Sequence, residues 1–164
     1  MDDPEHGPHA REPQVEDVAR ICDALNRAGA QYLLIGGFAV IAHGGARTTK
    51  DIDLLVDPSP ENIARIRKAL SILEDNAAAE IADDEVARYA VVRVADEVVI
   101  DLMARACGID YREASLDAEA TTIQGVTVPV ASPETLLRTK NTVRPSDALD
   151  RAFLEAVIAG RTGD

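Results

Sequence analysis

The stretch Asp51-Ile52-Asp53-Leu54-Leu55-Val56-Asp57 decides the fold, because it alternates with the period of a strand. Ile52, Leu54 and Val56 point to one sheet face; Asp51, Asp53, Leu55 and Asp57 point to the other. A flexible acidic loop would not alternate in this way. A second apolar run, Val98-Val99-Ile100-Asp101-Leu102-Met103, places one more carboxylate inside what otherwise reads as a buried strand. Two carboxylates about 4 Å apart repel by about 4 kcal/mol at an effective dielectric near 20, so converging carboxylates need protons or a cation to offset them.

Mg²⁺, or Mn²⁺ in its place, suits such a set. It takes hard oxygen ligands from one or two carboxylates and leaves its remaining positions to water and phosphate oxygens. Residues i and i+2 of a strand lie roughly 6.6 Å apart along the chain, near enough for Asp51 and Asp53 to share one ion or two. Paired ions in such sites sit about 3.5–4 Å apart and clamp both the attacking and the leaving oxygen. An EF-hand is ruled out by the missing central glycine and by the apolar residues between the acids.

The 164 residues fit one domain, with a core large enough to need no staples. Residues 1–13, acidic and rich in Pro and His, read as a mobile tail without the apolar core of a signal peptide, and residues 14–164 as the domain. The apolar runs are of strand length, so no membrane span is expected and the chain should be soluble. Cys22 and Cys107 fit no metal spacing and read as small apolar fillers, which makes a reducing cytoplasm the simplest location. His6 and His9 have no further ligands nearby. A net charge of −12 argues against broad capture of nucleic acid. Arg138, Lys140, Arg144 and Arg151 nevertheless gather near the C-terminus, where they could face a triphosphate.

Helical spacing of Val15, Val18, Cys22 and Leu25 predicts a first helix to about Ala28, stopped by Gly29. Tyr32–Ile35 reads as a short buried strand running into Gly36-Gly37, after which Phe38–His43 starts a helix. Ser59-Pro60-Glu61 has the form of a capped helix start, and Ser132-Pro133-Glu134 repeats it. Strands are expected over Arg88–Val94, Val98–Met103 and Val126–Val130, and a last helix from Pro145 to about Ala159. Glu74–Ala87 is ambiguous between helix and loop. The order predicts an α/β (α+β) fold, a mixed sheet with helices packed on it and the Asp-bearing strands at its middle.

With strand, Gly-Gly, helix, Asp51-x-Asp53 strand and late Asp101 in that order, the chain resembles the nucleotidyltransferase superfamily. Its fold is the palm of the DNA polymerase β type. Gly36-Gly37, His43-Gly44, Arg47, Thr49 and Asp51–Val56 look like the small bacterial nucleotidyltransferases related to the AbiEii toxin of abortive-infection systems. Ser132-Pro133-Glu134, Lys140, Arg144, Asp147 and Asp150 resemble that group's C-terminal segment, so the likeness runs from about Gln14 to Ile158.

The resemblance implies Mg²⁺-dependent transfer of a nucleoside monophosphate from an NTP such as ATP to an acceptor, with release of pyrophosphate. Asp51, Asp53 and Asp101 would hold the metal, and Asp101 would help to deprotonate the acceptor. Gly36 and Gly37 either let phosphate approach their backbone N–H groups or make a tight strand-to-helix turn. Arg47 and Thr49 either contact the triphosphate or lie in a solvated loop. Lys140 and Arg144 either bind it or form a surface salt-bridge pair with Asp147 and Asp150. His43 orients a phosphate or caps its helix.

A small molecule or a protein is favoured over RNA as acceptor, and the toxin likeness implies an antitoxin or toxin partner. The rival reading is a catalytically silent nucleotide-binding or interaction module. A P-loop kinase and a dinucleotide enzyme lack their glycine motifs.

Overall fold

In the computed structural model the described residues are 10–140 and 144–162. Helix α1 (Val15–Arg27) buries Val18, Ile21, Cys22 and Leu25 on one face. It ends in a left-handed Gly29, with Ala30 N donating back to Leu25 O at 3.0 Å. Strand β1 (Tyr32–Ile35) is buried throughout and passes straight into α2 (Gly36–Ala42). Strand β2 (Ile52–Val56) follows a loop and leads to α3 (Pro60–Leu70), whose start is capped by the Ser59 hydroxyl accepting from Asn62 N.

The ambiguous Glu74–Ala87 stretch resolves into a 3-10 turn (Ala77–Glu80) and the start of a short helix, α4 (Glu85–Arg88). Strand β3 therefore covers Val92–Ala95 rather than beginning at Arg88, because Arg88 closes α4 and pairs with Asp84 one turn back. Strand β4 (Val99–Met103) precedes a two-residue-per-strand ribbon, β5 (Arg105–Ala106) and β6 (Ile109–Asp110), and α5 (Tyr111–Ser115). Strands β7 (Glu119–Ile123) and β8 (Val126–Val130) form a hairpin, and α6 (Pro133–Thr139) and α7 (Pro145–Thr162) complete the chain.

Strand β7 was not expected. Its alternation is polar, Glu119-Ala120-Thr121-Thr122-Ile123, because it lies on the sheet edge. The turn Gln124-Gly125, with both residues at positive φ, is the two-residue hairpin turn that matches strand twist. Helix α7 also runs through Gly160 to Thr162, past the expected stop. Of the expected tail, residues 1–9 with His6 and His9 lie outside the described residues, whereas Arg11 is held by Asp17 at 2.6 and 2.7 Å.

The strands form one mixed sheet in the order β3-β4-β2-β1-β8-β7. The interior pair β2 and β4 is parallel, and β1 with β2 and β3 with β4 are antiparallel. Helix α1 packs on α3 and β8, α2 packs on β1 and β2, and α6 pairs with α7. Leu33, Leu34, Ile52, Leu54, Leu55, Ile100 and Leu102 fill the core between these layers. The expected mixed sheet with Asp-bearing strands at its centre is the one observed. No helix among the described residues is long and apolar enough to cross a membrane.

Candidate active site

Strand pairing alone builds the acidic centre. Asp53 on β2 is the register partner of Asp101 on β4, and Asp101 is the partner of Arg93 on β3. On the other side Asp53 faces Ile35, the last residue of β1. One row across four strands thus carries an arginine, two carboxylates and the entry to α2. Asp51, two residues before Asp53, shares its face. Oxygens of Asp51, Asp53 and Asp101 all lie within 4.8 Å of one another.

Burial is the largest influence on Asp53, followed by the charges of Asp51 and Asp101; together they push its carboxyl up to about 7 against the pull of Lys140 and Arg144. Three oxygen donors, two on paired strands and one just before β2, with Asp53 reluctant to ionise alone, form a donor set that fits Mg²⁺ or Mn²⁺. Arg93, which sequence reasoning did not single out, donates from Nε and Nη2 to the two oxygens of Asp101, each at 2.9 Å, and from Nη2 to Asp51 at 3.2 Å. The available signal was the alternation Val92-Arg93-Val94, which buries the valines and turns the arginine to the other face of an edge strand.

Gly36 and Gly37 are tightly packed. Gly36 has φ +70°, and a Cβ there would overlap the Asp53 carboxylate and lie 2.9 Å from its Cβ. A Cβ on Gly37 would come within 2.8 Å of the Thr49 side chain and 3.3 Å of the Arg47 guanidinium carbon. The two glycines therefore let the acidic strand and the loop before it close against α2. Thr49 Oγ1 donates to Asp51 O at 3.1 Å, which fixes the approach to β2.

Arg47 crosses to α7 and pairs with Asp150. Lys140, at the end of α6, lies 3.1 Å from Asp150 and 3.8 Å from Asp147, and its side chain is only 7% exposed. Arg144 reaches Asp147 at 3.4 Å and is largely exposed. The salt-bridge alternative for Lys140 is thus present, but buried rather than on the surface, and the link between Lys140 and Arg144 at residues 141–143 lies outside the described residues. Of the other basic residues, Arg138 pairs with Glu113 and Arg151 donates to Lys140 O. His43 closes α2, and its Nε2 donates to Ala131 O at 2.9 Å, the capping alternative.

A cleft of about 460 Å³, lined by Asp57, Arg105, Tyr111 and Arg112, contains none of the three acids. It sits at the opposite ends of β2 and β4.

Comparison with solved structures places this arrangement among known folds. The lincosamide antibiotic adenylyltransferase LnuA, bound to lincomycin, superposes with a TM-score of 0.63 at 15% identity, covering 90% of this chain and 99% of that one. A Thermotoga maritima protein assigned to the nucleotidyltransferases superposes with a TM-score of 0.53 at 14% identity, covering 96% and 97%. At these identities the likeness is one of fold. No curated protein matches the chain. The family model of the AbiEii nucleotidyl transferase toxin, of type IV toxin–antitoxin systems, matches residues 21–144, well over half of the chain and inclusive of the whole acidic row. The chain therefore belongs to the AbiEii nucleotidyltransferase family.

Proposed function

We propose that the chain transfers a nucleoside monophosphate from an NTP to an acceptor hydroxyl, with Asp51, Asp53 and Asp101 holding Mg²⁺ or Mn²⁺. The convergence of these carboxylates within 4.8 Å, on two paired central strands, carries the reading. When bound, the ions would neutralise charge on the attacking and leaving oxygens. The acceptor oxygen forms a bond to the α-phosphorus, the bond from that phosphorus to the bridging oxygen breaks, and pyrophosphate leaves with the electron pair. Asp101 takes the acceptor proton.

Gly36, Gly37, Arg47, Thr49, Lys140 and Arg144 would bind the triphosphate. Their placement supports this: Gly37 lies against Arg47 and Thr49, and the charges of Lys140 and Arg144 reach Asp53. A triphosphate would have to compete with Asp147 and Asp150 for Arg47, Lys140 and Arg144, which gives those acids the role of holding the cations ready.

The net charge of −12 favours a small molecule or a protein over RNA as acceptor. Family membership supports an antitoxin partner, and the free cysteines Cys22 and Cys107 suit a reducing cytoplasm. The test is incubation with labelled NTPs, Mg²⁺ and a cell extract. A nucleotidylated product plus pyrophosphate is expected, and both should vanish in the Asp51→Asn/Asp53→Asn double variant. NTP binding without transfer to any acceptor would make the chain a silent module; γ-phosphate transfer without pyrophosphate would make it a kinase.

A further inference from the structure

Arg93 stands in an unusual relation to the acidic row. Its guanidinium presents two donors to the two oxygens of Asp101 and extends one of them to Asp51, so one planar cation spans two of the three candidate ligands. This fork geometry is specific to arginine, which also keeps its charge at any working pH. The side chain also borders solvent. It is 37% exposed, it extends from an edge strand whose neighbours Val92 and Val94 carry the core contacts, and it borders an open cleft of about 410 Å³ lined by Asp84, Arg88, Tyr89 and Val91.

We propose that Arg93 is the resident counter-cation of the carboxylate row. It holds Asp51 and Asp101 converged before a divalent ion arrives, and it sets the ion's affinity by competing for the same oxygens. The proposal rests on the reading of Asp51, Asp53 and Asp101 as a metal site. It makes Arg93 a positioning residue, since it acts through the carboxylates. A metal approaching this row meets oxygens already engaged by a positive charge, so binding requires the guanidinium to withdraw toward the open cleft or to share. The arrangement keeps the row assembled when metal is scarce, and weakens capture of the ion in return.

The test is Mn²⁺ binding to the full chain, stripped of metal and held at one alkaline pH, read by the electron paramagnetic resonance signal of free Mn²⁺. Arg93→Met, which keeps the length and removes the charge, should bind Mn²⁺ about tenfold more tightly, since even a strongly screened unit charge a few ångströms from a divalent ion is worth about that much. Its metal-free melting temperature should fall. Arg93→Lys, with the charge but not the fork, should lie between the two.

A merely structural ion pair predicts the opposite: losing it loosens the row and weakens or leaves unchanged the metal affinity. Weaker or equal Mn²⁺ binding in a folded Arg93→Met protein overturns the proposal, and Arg93→Gln supplies the same comparison should the methionine variant fail to fold. Failure of wild-type protein to bind Mn²⁺, or equal binding by Asp53→Asn, overturns the metal-site reading instead.

Discussion

Gly36 and Asp53 meet so closely that a single methyl group on the glycine would occupy the space of the aspartate's carboxylate. The glycine also holds φ +70°, a conformation that costs a non-glycine residue about 1 kcal/mol or more. Gly36→Ala is therefore expected to destabilise the protein by about 2–4 kcal/mol and to displace Asp53. Denaturant melts and Mn²⁺ binding should both register it. An alanine variant with wild-type stability and metal affinity would show that the strand and helix can separate without cost.

Gly37→Val should behave in the same way. Its side chain would press on Thr49 and Arg47, so loss of stability is expected alongside any loss of nucleotide affinity. A stable valine variant that has lost only NTP binding would instead favour direct approach of phosphate to the Gly37 backbone.

Divalent metal should raise thermal stability by mass action, by about 2.7 kcal/mol at one hundred times the dissociation constant. Asp53→Asn should remove most of that gain. An undiminished gain in the variant would place the ion elsewhere.

The raised Asp53 carboxyl gives the metal-free protein a pH dependence of defined sign. Its folded value of about 7 lies above the ordinary value of about 3.9, so the folded state holds the proton more tightly. The associated stability is present below about pH 4 and is lost as pH rises through about 7. With chelator present, the stability of wild type relative to Asp53→Asn should fall between about pH 4 and 7 and level off above. No change over that range would mean that Asp53 ionises in the fold as readily as in the unfolded chain.

Lys140 and Arg144 should separate. Lys140→Ala removes one cation from buried Asp147 and Asp150, which keep Arg144 and Arg47, and is expected to cost about 1–3 kcal/mol. Arg144→Ala, at an exposed position, should change stability by no more than about 1 kcal/mol while raising the NTP dissociation constant. Unaltered nucleotide affinity in Arg144→Ala would remove that residue from the triphosphate site.

Strong apolar runs made much of this legible in the sequence. Strands Tyr32–Ile35 and Val126–Val130 lie where their residues indicate, and the alternation around Asp53 put the acids on one sheet face. Pairing was not legible, because register is set between segments far apart. The Arg93–Asp101 partnership follows from which strand sits beside β4, and nothing local to Arg93 encodes that. Strand β7 escaped notice because an edge strand need not be apolar, and its hairpin turn uses Gln124 where asparagine is the usual marker. The depth of the Lys140 pairing was hidden for a related reason. Charge runs ordinarily lie in water, and only the packing of α6 against α7 encloses this one.

The parallel pairing of β2 with β4 also bears on how the protein is made. Asp51 and Asp53 leave the ribosome well ahead of Asp101, and β4 must then insert between β2 and β3 before the row exists. A nascent chain halted before Val99 carries Arg93 and two of the acids but has no strand to align them. The acidic row is therefore completed in one step, when β4 joins the sheet.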